Sequence, residues 1–313
     1  MVRWKGALGL IVGLWFTLVS PVFAYTSPYQ EVWIAPNCQP LSPGGPCNNS
    51  EFMKTFDVNH RWLLSYTNVF KLYSQFVAYA TDADLTLVLS VLQSSGVKIA
   101  LESGVLTTNS ACPFEGQGGE WLGTQANRIK SLGGTIDYVA ADEPVNFILS
   151  CESQIPGLTY ASAAADAAHN FAAVTAVFPN AQLGDIEQAD SFALTAVSDW
   201  LDAYKTASGT PFAFLHNDAA FDSSSIWSIK AMYNVTAARA PMKYGVIYND
   251  GVNYSEQNYL WGNNMLAAAQ AVKHIPFVPQ TAIIQSWQIA PARMFSDIAD
   301  GTFSYVMKYI LGF

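Results

Sequence analysis

Short apolar runs that stop at carboxylates, separated by long helical patterns, constrain this chain more than any other feature. Ile136–Asp142 is one such run, followed at once by Glu143-Pro144. Leu183-Gly184-Asp185-Ile186-Glu187 and Phe212–Asp218 repeat the arrangement. Parallel strands covered on both faces read as near-continuous apolar runs. Polar groups then collect where each strand ends and the chain turns into a helix.

Eight segments fit the strand pattern: Glu31–Pro36, Val69–Phe76, Val97–Glu102, Ile136–Asp142, Gln182–Glu187, Phe212–Asp218, Tyr244–Asn249 and Ala282–Gln288. Helical patterns are expected at about 50–66, 82–95, 119–132, 160–178, 190–207, 223–238, 255–274 and 302–311. Thr81-Asp82-Ala83-Asp84 has the form of a capping box. Gly96, Gly133-Gly134 and Gly209 stand where left-handed helix ends belong. This strict alternation predicts an α/β fold, a single (β/α)8 barrel. An open doubly wound sheet is the alternative. No strand is followed by a G-x-G-x-x-G turn, which argues against a dinucleotide-binding version.

The first residues are not part of that pattern. Arg3 and Lys5 precede an apolar stretch from Ala7 to about Val19, and Val22-Phe23-Ala24 offers small residues for cleavage. This predicts a signal peptide over 1–24 and a barrel over 25–313; a membrane anchor is the competing reading. Export makes the four cysteines candidates for disulfides, with Cys38–Cys47 and Cys112–Cys151 the favoured pairing. The predicted location is secreted or periplasmic. Sequons begin at Asn48, Asn234 and Asn253. Hydrophobic residues make up 51% and charged residues 12%, so the chain has the means to bury a large core. The formal charge is −9 and no basic cluster occurs, which excludes nucleic acid as an expected partner. A monomer is expected, with no membrane contact once the leader is gone.

In such a barrel the C-terminal strand ends share one mouth. Strand by strand they offer Trp33 and Asn37; Lys71, Tyr73 and Gln75; Glu102; Asp142 and Glu143; Asp185 and Glu187; His216, Asn217 and Asp218; Tyr248, Asn249 and Asp250; and Gln285, Trp287 and Gln288. Carboxylates and amides can hold sugar hydroxyls, and aromatic faces can stack on a pyranose. Glycosidic cleavage needs two carboxyl groups, one protonated and one ionised. Like charges nearby keep one of them protonated.

Asp142-Glu143-Pro144 resembles the Asn-Glu-Pro motif at the end of strand four in a large clan of retaining (β/α)8 glycoside hydrolases. The resemblance implies that Glu143 is the general acid/base and that residue 142 holds a sugar hydroxyl. His216 and Trp287 stand where that clan often has substrate-binding residues. Two departures matter: Asp142 replaces Asn, and the strand-seven nucleophile Glu is missing from Tyr248-Asn249-Asp250-Gly251. Asp250, or Glu187 on strand five, would have to supply the second carboxylate.

The expected catalytic groups are therefore Glu143, Glu187 and Asp142. The expected substrate contacts are Lys71, Glu102, His216, Asp218, Asn249, Gln285 and Trp287, with carbohydrate as partner and no metal or cofactor called for. Asp185 shares the alternation of Glu187 but lies deeper, as a core group. Each assignment has a plainer counterpart. Glu143-Pro144 suits an ordinary helix start. Lys71 and Glu102 suit a buried ion pair, and His216 suits a core histidine. Trp62, Trp121, Trp200 and Trp227 are expected to pack from helices. Two rivals to a glycoside hydrolase remain: a carbohydrate-binding barrel without catalysis, and a different extracellular hydrolase with a metal on Asp142, Glu187 and Asp218.

Overall fold

The computed structural model describes residues 27–112, 118–188, 194–221, 225–250, 257–295 and 301–312. The expected leader and the sequon at Asn253 lie outside them, as do the starts of the helices expected from 190, 223 and 255. Eight parallel strands close into a barrel in sequence order: β1 (Glu31–Ala35), β2 (Val69–Tyr73), β3 (Lys98–Ser103), β4 (Tyr138–Asp142), β5 (Gln182–Glu187), β6 (Phe214–Asp218), β7 (Lys243–Tyr248) and β8 (Thr281–Gln285). β1 pairs with β8 from Glu31↔Thr281 to Ala35↔Gln285, which completes the ring. The expected (β/α)8 fold is the observed one.

The described helices are α1 (Ser74–Tyr79), α2 (Asp82–Ser94), α3 (Glu120–Ser131), α4 (Pro144–Cys151), α5 (Tyr160–Thr175), α6 (Leu194–Ser208), α7 (Ser225–Ala237), α8 (Asn258–Lys273) and α9 (Phe303–Leu311). Thr81 caps α2 by accepting the Asp84 amide at 3.1 Å. Thr159 and Ser162 form a reciprocal box at the start of α5.

Three local expectations change. The helix expected over 50–66 is two 3-10 turns, Phe52–Phe56 and Arg61–Tyr66, because Asp57, Asn59 and His60 interrupt it with extended and turn conformations. β2 ends at Tyr73, and the apolar residues after it belong to α1, a run too short for periodicity to decide. α4 follows β4 directly, with Pro144 at its first position.

Inside the ring, Trp33, Val69, Ala100, Tyr138, Ala140, Ile186, Phe214, Ile247 and Ile283 form one apolar layer. The aromatic rings set its spacing, with Trp33 5.0 Å from Phe214 and 5.2 Å from Tyr138 between centroids. Gly184 gives Phe214 its room: a Cβ there would lie 2.2 Å from the ring. A second and larger core lies between the strands' outer faces and the helices, with Leu183, Trp200, Leu215, Val246 and Trp261 among its members. Trp200 packs as expected, whereas Trp227 in the first turn of α7 is 63% exposed. Disulfides join Cys38 to Cys47 and Cys112 to Cys151, the favoured pairing. The second ties the segment after β3 to the last residue of α4. No helix among the described residues is long and apolar enough to cross a membrane.

Candidate active site

Alternation along each strand builds the mouth. On most strands, the residue two places beyond the apolar layer is polar and shares its inward face. Val69 is followed by Lys71, Ala100 by Glu102, Ala140 by Asp142, Ile247 by Asn249 and Ile283 by Gln285. β6 stacks Phe214, His216 and Asp218 in one column. The expected residues Lys71, Glu102, Asp142, His216, Asp218, Asn249 and Gln285 are thereby brought to one end of the ring. Trp287, half-buried, lies two residues past β8.

Their roles divide by depth. Lys71 is 1% exposed; it donates to Glu102 and, at 2.5 Å, to Gln285 Oε1. These three expected substrate contacts are thus spent largely on one another, the ion pair that a lone lysine in a strand requires. His216 is also corrected. It is wholly buried, stacked on Phe214 at 4.1 Å and edge-on to Trp33 at 4.8 Å. Burial, with Lys71 and Lys243 adding to it, holds its pKa well below the usual imidazole range, so it is a neutral ring in the barrel core. Its depth, one rung below Asp218, removes it from the mouth.

Glu187 departs most from expectation. Asp142 is in register with Ile186, so Ile186 shares the inward face and its neighbours Asp185 and Glu187 face outward. Glu187 Oε1 accepts the Val145 amide of α4 at 2.8 Å, and both acids are completely buried. Glu187 is therefore behind the strand and not in the mouth with Asp142 and Asp218. The same partition separates the three acids of the metal reading.

Glu143 sits at the junction of β4 and α4. Its amide donates to Ile186 O at 3.1 Å, extending the β4–β5 ladder by one rung. Its backbone then turns left-handed, at φ 45° and ψ 47°. That conformation costs a non-glycine residue about 1–3 kcal/mol and is concentrated at functional sites. The turn lets Pro144 start α4, as the ordinary helix-start reading of this pair expects. Asn146 donates to Glu143 Oε2 at 2.8 Å.

Four acids interact around this point. Burial raises the Glu143 carboxyl; the Asn146 bond opposes that and Glu102 reinforces it. Burial pushes Asp218 up to about 8, with Glu143 and Glu102 adding and Lys71 and the Asn249 amide opposing. Tyr73, which donates to Ser286 O at 2.8 Å, feels Glu102, Asp142 and Asp218 together; burial is the larger reason that its pKa is well above 10. Asn249 donates to Asp218 Oδ1. Asp250, 3% exposed, lies two residues beyond β7. Tyr73 and Ser286 complete the frame.

The chain is thus a closed (β/α)8 barrel with interacting carboxyls at one end of its ring. Among solved structures, the chain is similar to a thermostable mutant of a xylanase from Cellvibrio japonicus, with 12% identity over 92% of this chain and 99% of that one at a TM-score of 0.52. It is also similar to the beta-mannanase of Thermomonospora fusca in complex with mannohexaose, with 14% identity, coverage of 87% and 88%, and a TM-score of 0.50. A xylanase from Paenibacillus barcinonensis gives 9% identity, coverage of 90% and 95%, and a TM-score of 0.52. At these identities the likeness is one of fold. No protein-family model matches the chain, and no curated protein does.

Proposed function

We propose that this chain is an exported glycoside hydrolase acting on a polysaccharide or oligosaccharide, with Glu143 and Asp218 as its two working carboxyls. The observation that carries this reading is the set of carboxyls in one mouth: Glu143 raises Asp218, Glu102 raises both, and Asp142 stands beside them. Asp218, pushed up to about 8, keeps its proton at neutral pH, and burial with Glu102 raises Glu143 as well. Such a pair supplies what glycosidic cleavage requires: one carboxyl to protonate the leaving oxygen, one carboxylate to face the anomeric carbon or its water. Asp218 takes the part first given to Glu187, because its side chain shares the inward face. Asp142 and Asn249 are suited to holding sugar hydroxyls, and Trp287 to stacking on a ring. The two disulfides and the leader pattern support export.

The test is a reducing-end assay across a polysaccharide panel with wild type, Glu143→Gln and Asp218→Asn. The reading predicts that one glycan is cut by wild type and that each variant loses at least about 10²-fold in kcat while remaining folded. A glycan that raises the melting temperature of wild type without being cut would instead favour the binding barrel.

A further inference from the structure

We infer that Glu187 and Asp185 form a buried, proton-bearing carboxyl pair whose work is to hold the Glu143 turn, which makes Glu187 a positioning residue and not a reacting one. This builds on the role proposed for Glu143, but its main test needs no substrate.

The geometry begins with the grip on α4. Glu187 Oε1 takes the Val145 amide, which belongs to the first turn of the helix and is two residues from Glu143. On the other side, the Glu143 amide bonds to Ile186 O, the residue before Glu187. The strained turn at Glu143 is thus pinned to β5 at both flanks, once through the backbone and once through the Glu187 carboxyl. Asn146, one residue further along α4, completes the frame by bonding to the Glu143 side chain. Fixing the first turn of α4 fixes where Glu143 points.

Hydrogen-bond accounting then assigns the protons. Asp185 Oδ1 and Oδ2, Glu187 Oε2 and Asn217 Oδ1 are buried acceptors with no close hydrogen bond, and the Trp200 indole on α6 is the donor set beside Asp185. Asn217 is the register partner of Glu187 on β6 and shares its outward face. As two carboxylates, this group would set several acceptors against one donor. As two carboxylic acids, it gains two O–H donors and can satisfy itself. The ionisable groups acting on the pair are Asp142 and Glu143 from the end of β4, Tyr204 from α6 and Tyr160 from α5. All of them are acids, so none supplies a positive charge. Burial accordingly raises both carboxyls well above their ordinary range; Asp185, Glu143 and Asp142 add to it at Glu187, and the Trp200 indole opposes it at Asp185.

The sign of the pH effect follows. An unfolded carboxyl ionises near about 4, while the folded pair keeps its protons to higher pH. Stability from the pair is therefore complete below about 4 and is lost as pH climbs toward the folded value. Glutamine mimics a protonated glutamate: its carbonyl can still accept the Val145 amide and its NH₂ can donate to Asn217 or Asp185.

The experiment is thermal unfolding of wild type, Glu187→Gln and Asp185→Asn from about pH 5 to pH 9, together with a carbon-13 NMR titration of the Glu143 carboxyl in wild type, Glu187→Gln and Glu187→Ala. The melting temperature of wild type should fall with pH more steeply than that of either amide variant. Glu143 should titrate in Glu187→Gln as in wild type, and should move down toward ordinary glutamate values in Glu187→Ala. If Glu187→Ala does not fold, Glu187→Met, which keeps the volume but has no strong acceptor, takes its place. Parallel melting curves for wild type and Glu187→Gln would overturn the proton-bearing pair. An unmoved Glu143 titration in the alanine or methionine variant would overturn the positioning role. Where a cleaved glycan is in hand, Glu187→Gln should retain kcat within about tenfold and Glu187→Ala lose on the order of 10²-fold; a Glu187→Gln as inactive as Glu143→Gln would make Glu187 a reacting group. Absence of any cleaved glycan would count against the hydrolase reading alone, since the melting and NMR results stand without it.

Discussion

Lys71 and Glu102 form an ion pair inside the barrel, from adjacent strands, with Gln285 of β8 taking a further Lys71 N–H at 2.5 Å. The lysine side chain is fully enclosed and that of Glu102 is 7% exposed. Removing one partner leaves the other charge buried alone, at a cost of about 3–5 kcal/mol. Lys71→Met and Glu102→Gln should each lower stability by that order in urea unfolding. The double variant should recover part of the loss, because no lone charge remains.

Asp218 gives stability a second dependence on pH. Its folded carboxyl keeps a proton up to about 8, whereas the unfolded residue ionises near about 4. Its contribution is complete below about 4 and is lost as pH rises through about 8, on the order of 1.4 kcal/mol per pH unit at most. Asp218→Asn should therefore melt above wild type at pH 8, with the gap narrowing as the pH is lowered to 5. Equal melting temperatures throughout would mean that the carboxyl ionises alike in both states.

Glu143 should show function opposed to stability. Glycine adopts φ 45° without the strain that a side chain imposes. Glu143→Gly is expected to gain about 1 kcal/mol from that source while losing the carboxyl chemistry. Differential scanning calorimetry beside the reducing-end assay reads both effects.

Gly184→Ala probes the packing of the inner layer. The added Cβ meets three atoms of the Phe214 ring at 2.2–2.3 Å, and that ring is wedged between Trp33, Tyr138 and His216. Overpacking of this kind costs about 1–3 kcal/mol. Chemical unfolding of Gly184→Ala should show a loss in that range or greater, and Phe214→Leu in the same chain should restore some of it.

The ring was legible in the sequence because each strand is a short apolar run with a helical pattern after it. Both disulfides and the inward acids of β3, β4 and β6 could also be read there. β5 misled for a physical reason. Gly184 and Ile186 face inward and the acids face out, an inversion that only pairing with Asp142 and the bulk of Phe214 decide. Without the register, Leu-Gly-Asp-Ile-Glu looks like another strand aiming its carboxylates at the mouth. His216 and Lys71 have the correct face but the wrong depth, and depth is set by how neighbouring strands are staggered. Trp227 was misjudged because helical spacing alone does not show that the first turn of α7 stands clear of its neighbours.

The rungs from Glu31↔Thr281 to Ala35↔Gln285 join segments from opposite ends of the chain. Any sheet built from the earlier strands without β8 has two bare edges, one at β1 and one at its last strand. Bare edges invite pairing with other molecules. That exposure ends only when β8 has been made. The last strand is thus the chain's own edge guard, and damage to Thr281–Gln285 should appear first as aggregation of newly made protein.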